Sequence, residues 1–135
     1  MIGDTLVDAN VLIDVATDDP QWSDWSAKEL AKAGQGGRLV INPVVYAEVS
    51  IAFDRIEDLN AVLPEAVFHR EDLPWEAAFL AGKAFRAYRR RGGARTLPMP
   101  DFYIGAHAAI RRHRLLTRDA ARFQTYFPTL DLITP

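Results

Sequence analysis

Apolar and polar positions along the chain alternate between short apolar runs and longer stretches with helical spacing. The first run, LVDANVLIDVA (residues 6–16), predicts a strand over Thr5–Asp8 and a helix capped by Asn10 that ends near Thr17, before Asp18, Asp19 and Pro20. Trp22, Trp25, Ala27, Leu30 and Ala31 then recur near helical spacing until Gly34, Gly36 and Gly37. Arg38–Ile41 predicts a second strand, and Asn42–Pro43 a cap and first turn for a helix carrying Val44, Val45, Ala47, Glu48, Ile51 and Ala52. A helix over 56–63, closed by Pro64, precedes a short strand at Ala66–His69. Leu73–Pro74 opens a long helix to Arg91, and RRRGGARTLPMP (89–100) predicts a flexible loop. Phe102–His113 predicts a helix, Leu115–Thr117 a strand, Ala120–Tyr126 a short helix and Leu130–Ile133 a last strand. The strands are apolar throughout and alternate with helices. That pattern predicts an α/β fold, a three-layer α/β/α sandwich around a central, mostly parallel sheet. No repeat or second domain interrupts residues 1–135.

Composition fits one globular domain: 135 residues, 49% of them apolar. Cysteine is absent, which removes disulfides and thiolate ligands. No basic segment leads into a sustained apolar stretch, so no signal peptide or membrane span is expected and a cytoplasmic location is the default.

The net charge of −2 hides a segregation. Residues 1–82 carry five basic and fifteen acidic side chains, whereas residues 83–135 carry eleven basic and three acidic ones. Ten of the thirteen arginines lie in that second part. Arginine's rigid fork suits phosphate, which points to nucleic acid; a solvated face meeting the chain's own acidic half is the plainer reading.

Four acidic residues stand where an α/β site forms. Asp8 ends the first predicted strand, Asp119 follows the strand at Leu115–Thr117, Asp101 begins a helix after Pro100, and Glu48 lies within an apolar helix. Each has a plainer use. The aspartates can cap the helices they precede, and Glu48 can pair with an arginine. Gathered in one pocket, the four would raise one another's pKa unless a cation neutralised them, and all-oxygen ligation suits Mg²⁺ or Mn²⁺. Asp14 reads as a solvated or helix-end residue, with a supporting role near the metal as the alternative. His69, His107 and His113 lack metal-ligand spacing, and His107 reads as packed or hydrogen-bonded.

The same segments carry a resemblance. LVDANVLIDVA with Asp8, NPVVYAEV with Glu48, MPDFYIGAHAA with Asp101 and LLTRDAARFQTYFP with Asp119 resemble, in order, the motifs of the PIN domain superfamily. Within it the sequence is similar to the toxin ribonucleases of VapBC-type toxin–antitoxin pairs, and the similarity runs over essentially the whole chain. The resemblance implies a Mg²⁺-dependent endoribonuclease with Asp8, Glu48, Asp101 and Asp119 as the acidic constellation, Asp8 and Asp101 holding the metal, and Mn²⁺ as a substitute. It implies that Thr117 bonds a carboxylate or the substrate phosphate. It also implies an RNA substrate, a small cognate antitoxin that fills the active-site groove, and a homodimer, for which Trp22, Trp25, Phe53 and Trp75 are candidate interface residues. The candidates for RNA contact are Arg118, Arg91 and Arg95, with Arg86, Arg89, Arg90, Arg112 and Arg114. Ala9 departs from the pattern, where threonine commonly stands.

Two other functions compete. Asp8–Ala9–Asn10–Val11 is similar to the opening motif of haloacid-dehalogenase-type phosphatases, but Asn10 stands where that motif wants a second aspartate, and no lysine lies near a strand end. A non-catalytic, RNA- or protein-binding PIN-like domain is the remaining alternative.

Overall fold

The computed structural model describes residues 3–92 and 99–135. Its apolar runs become five strands: β1 (Thr5–Val7), β2 (Leu39–Ile41), β3 (Phe68–Arg70), β4 (Arg114–Leu116) and β5 (Leu132–Ile133). Between them lie α1 (Ala9–Ala16), α2 (Ser23–Gly36), α3 (Pro43–Ser50), α4 (Ile56–Val62), α5 (Trp75–Arg90), α6 (Met99–Arg111) and α7 (Ala120–Gln124). The sheet order is β3-β2-β1-β4-β5, and each of its pairings is parallel. β1 is flanked by β2, opposite Leu39, and by β4, opposite Arg114. Helices cover both faces, so the α/β/α sandwich expected from the sequence is the architecture found.

Burial explains the unbroken apolar strands. Every residue of β1 and β2 is buried, as are Leu115 and Leu116 of β4. On one side α5 packs along α6, and an aromatic cluster of Phe85, Tyr88, Phe102 and Tyr126 ties α5, α6 and the segment after α7 together. α1 packs against α2 and α3.

The strand order reverses direction beside β1, since β2 and β3 extend to one side and β4 and β5 to the other. Open α/β sheets form their clefts at such a switch point, beyond the carboxyl ends of the strands. Asp8 follows β1 there and Thr117 follows β4.

Several boundaries differ from the sequence reading. Asp8, not Asn10, occupies the cap position of α1: its backbone is extended and its side chain accepts the Ala9 N–H. Asn10 lies in the first turn instead. α2 continues through Gly34 to Gly36, past the glycine at which the sequence pattern ended it. α6 starts at Met99, so Asp101 sits inside its first turn rather than capping it. The helix stops at Arg111, because Arg112 takes a left-handed backbone with φ 57°. His113 is therefore outside the helix. β3 begins at Phe68, after the 64–68 turn closed by the Pro64 carbonyl. Of the predicted loop at 89–100, residues 93–98, including Arg95, lie outside the described residues. Asn42 does cap α3, accepting the Val45 N–H at 2.8 Å, with Pro43 in the first turn. No described helix is long and apolar enough to cross a membrane.

Candidate active site

Asp8 is buried at the end of β1. Its Oδ1 accepts the Ala9 N–H at 2.8 Å and its Oδ2 accepts the Thr117 hydroxyl at 2.8 Å. The Thr117 oxygen in turn accepts from the Asp119 N–H at 3.1 Å and from Asn10 Nδ2 at 3.5 Å. One fully buried hydroxyl thus fixes the chain after β4 relative to the aspartate after β1. Burial, the largest influence, pushes the Asp8 carboxyl up to about 6, against the Thr117 hydrogen bond.

Asp8, Glu48 and Asp101 line one cleft together with Asn10, Ile13, Ile51 and Arg122. α3 delivers Glu48 from the far wall and the first turn of α6 delivers Asp101. Glu48 Oε1 is buried without a hydrogen-bond partner. Its carboxyl is pushed up to about 7, by burial first and then by the charges of Asp8 and Asp101. Asp101 is also raised by burial, with Arg122 opposing. Asp119 stands outside the cleft lining, caps nothing with its side chain, and pairs with Arg122 Nε at 2.6 Å. Arg122 Nη1 donates to Asp101 Oδ2 at 2.9 Å, so this one guanidinium joins the two aspartates. Arg122 was not among the arginines singled out in the sequence. Its spacing of three from Asp119 is the only signal that would have drawn attention to it.

The donor set fits a hard divalent cation: three buried or half-buried carboxylates, one of which, Glu48, has a buried oxygen with no proton donor. Such an arrangement is costly as it stands, because clustered carboxylates out of water repel one another. A cation in the cleft relieves that repulsion.

A second cluster lies elsewhere. Among the described residues, Glu71, His107 and His113 place ligand atoms within 4.8 Å of one another, close enough to hold a metal ion. His107 Nε2 and His113 Nε2 stand 3.0 and 2.8 Å from Glu71 Oε1, and His69 Nε2 lies 4.0 Å from Oε2. All three histidines of the chain therefore surround one carboxylate, although their sequence spacing gave no hint of it. The network has its own proton logic. Asn42 Oδ1 is held by the Val45 N–H, so Nδ2 donates to His107 Nδ1 at 2.9 Å. That leaves the His107 proton on Nε2, donated to Glu71. Metal at Nε2 would require the Asn42 amide to turn over and give up its helix cap.

Asp14 corrects the expectation of a solvated residue. It is buried, accepts the Ser26 hydroxyl at 2.9 Å, and receives Arg118 Nε and Nη2 at 2.6 and 3.0 Å. Arg118 also lies over the Trp22 ring, so its fork is committed to the fold. Arg91 is exposed and stands over Tyr126, while Arg86, Arg89 and Arg90 are exposed on α5. Arg112 and Arg114 precede or begin β4, at the end of the sheet opposite Asp8, which separates them from the cleft. Of the aromatic interface candidates, Trp75 is 88% exposed, whereas Trp22 and Trp25 pack edge to face against each other and Phe53 packs against the core.

The profile of the PIN domain matches residues 5–126. No curated protein matches significantly by sequence. Among solved structures, VapBC2 from Rickettsia felis, bound to a DNA fragment from its promoter, superposes with a TM-score of 0.76 at 17% identity, covering 97% of this chain and 98% of that one. VapBC-1 from nontypeable Haemophilus influenzae gives 0.74 at 18% identity, covering 97% of each chain. A toxin–antitoxin complex from Klebsiella pneumoniae gives 0.71 at 20% identity, again covering 97% of each. At these identities the likeness is one of fold.

Proposed function

The chain belongs to the PIN domain family, and on that premise we propose that it is a Mg²⁺-dependent endoribonuclease, the toxin of a cytoplasmic toxin–antitoxin pair, acting as one domain over residues 1–135. The observation that carries this reading is the under-compensated acidic cleft, above all Glu48 Oε1, buried with no donor. Toxin–antitoxin complexes among the structural neighbours support the biological role.

Asp8 and Asp101 would hold the cation, with Glu48 completing the cleft and Asp119 supporting it from the rim. A bound Mg²⁺ or Mn²⁺ would supply a water of lowered pKa and a counter-charge for the phosphoryl oxygens. Thr117 keeps Asp8 Oδ2 aimed by its hydrogen bond. Glu48, near 7, exchanges a proton at its carboxyl around neutral pH in the metal-free cleft. The apolar wall at Ile13 and Ile51 sets the edge against which an RNA strand or an antitoxin segment lies. Arg91 and the exposed arginines of α5 are assigned to phosphate contacts, and Arg95 is a further candidate from the sequence. Trp75 and the neighbouring Phe79, both exposed on α5, are the surface we assign to homodimer formation.

The test is cleavage of a long single-stranded RNA in Mg²⁺ and in EDTA, alongside calorimetric Mg²⁺ titration. Cleavage in Mg²⁺ alone supports the reading. Metal binding without cleavage points to the non-catalytic alternative, and neither result together removes the metal site.

A further inference from the structure

In a cleft lined by carboxylates the informative group is the cation already present. Arg122 Nη1 donates to Asp101 Oδ2 at 2.9 Å while its Nε pairs with Asp119 Oδ2 at 2.6 Å. Asp101 is the more buried partner, with a side chain 9% exposed against 41% for Arg122. The oxygen that the arginine occupies belongs to a carboxylate of the candidate metal site.

The placement is built into the fold. α7 is anchored beside α6 by Phe123, which is fully buried, and by Phe127. Both rings lie against Gly105, one turn along α6 from Asp101; a Cβ there would meet Phe127 at 2.5 Å and Phe123 at 3.1 Å. The missing side chain lets α7 approach closely enough for Arg122 to reach Asp101. The anchors fix the backbone of α7, whereas the arginine side chain is long and half-exposed, so its guanidinium can leave Asp101 for solvent without moving that backbone. The other nearby arginine, Arg118, is committed to Asp14. A guanidinium stays protonated at every accessible pH, so only competition by another cation can displace it.

We propose that Arg122 is the resident counter-cation of the acidic cleft, and that a divalent metal ion binds by displacing its guanidinium from Asp101. This rests on reading the cleft as a metal site. Arg122 holds the carboxylates together in the cation-free protein and opposes weak occupancy, setting the concentration at which the site fills.

The experiment is a Mn²⁺ titration of the full chain, following free Mn²⁺ by electron paramagnetic resonance, for wild type and Arg122→Gln. His113→Ala is titrated alongside to identify any ion held by the histidine cluster. Arg122→Gln is expected to bind Mn²⁺ on the order of tenfold tighter, since a competing and repelling charge has gone. Unchanged or weaker affinity overturns the proposal. Because the variant can also loosen α7, the Arg122 Nη–H resonance of the wild type, from the nitrogen that donates to Asp101, is followed at low temperature under saturating Mg²⁺. Displacement shifts it, and an unmoved signal overturns the proposal. Wild-type binding with no gain in Arg122→Gln rejects this inference alone. Absence of Mn²⁺ binding in both proteins rejects the metal site and the inference together.

Discussion

Glu48→Gln stabilises the cation-free protein above neutral pH, and the structure sets the size of the gain. Oε1 has no hydrogen-bond partner to lose, and the amide keeps the shape of the carboxyl. Moving the carboxyl from 4.5 to about 7 corresponds to roughly 3 kcal/mol between its charged and neutral forms. Solvent reaching the side chain screens part of that, leaving about 1–2 kcal/mol. The folded carboxyl binds its proton more tightly than the unfolded one does. Its ionisation therefore removes stability as pH rises from about 4.5 through about 7, and below 4.5 it has no effect. Urea denaturation in EDTA is expected to show Glu48→Gln more stable than wild type by that amount at pH 8, with the gap closing toward pH 4. Added Mg²⁺ is expected to reverse the order at pH 8, because the wild type then gains more from the cation. A variant less stable than wild type at pH 8 in EDTA, or a gain equal at both pH values, would refute the account of Glu48 as an uncompensated carboxylate.

Asp101→Asn is expected to lower RNA cleavage at least about a thousandfold with the circular dichroism spectrum unchanged, as fits loss of a metal-dependent step; retained Mg²⁺-dependent cleavage in a fluorogenic RNA assay contradicts the role given to it. Thr117→Val keeps the side-chain volume but leaves Asp8 Oδ2 and the Asp119 N–H without their partner. The expected loss is about 1.5–3 kcal/mol by urea denaturation, and a change under about 0.5 kcal/mol would show that water replaces the hydroxyl. Gly105→Ala forces the Phe127 ring to move and is expected to cost about 1–3 kcal/mol in the same assay. Trp75→Ser is expected to halve the mass seen by light scattering, and an unchanged mass removes α5 from the self-association surface.

The sheet and its helices were legible because burial on both faces leaves a plain mark: apolar strands at Leu6–Val7, Val40–Ile41 and Leu115–Leu116, separated by helical spacing. Caps were legible where side chain and backbone agree, as at Asn42. At Asp8 and Asn10 two cap-forming residues stand two positions apart, and the local pattern does not say which one the chain after β1 will use. The acidic residues of the cleft were visible as residue types, but their compensation was not. That is decided by partners far along the chain, such as Thr117 for Asp8, and by the close approach of α7 that Gly105 permits. The gathering of His69, His107 and His113 around Glu71 depends on tertiary structure in the same way.

The two aspartates of LVDANVLIDVA show what distinguishes a carboxylate kept for chemistry from one kept for the fold. Both are buried to a similar degree, at 5% exposure for Asp8 and 2% for Asp14. Asp14 receives a two-pronged arginine and a serine hydroxyl, a complete set of donors that leaves no call for a cation. Asp8 receives only two neutral donors, and it faces Asp101 and a glutamate with none at Oε1. A protein selected for stability alone would complete that set, since one more arginine or a neutral amide would do it. The deficit persists on one side of α1 while the same helix satisfies Asp14 fully on another, so crowding or a shortage of arginines does not explain it. The unpaired charge is concentrated where the sheet opens at its switch point, and a divalent cation is the partner whose size, charge and preference for oxygen match what is missing.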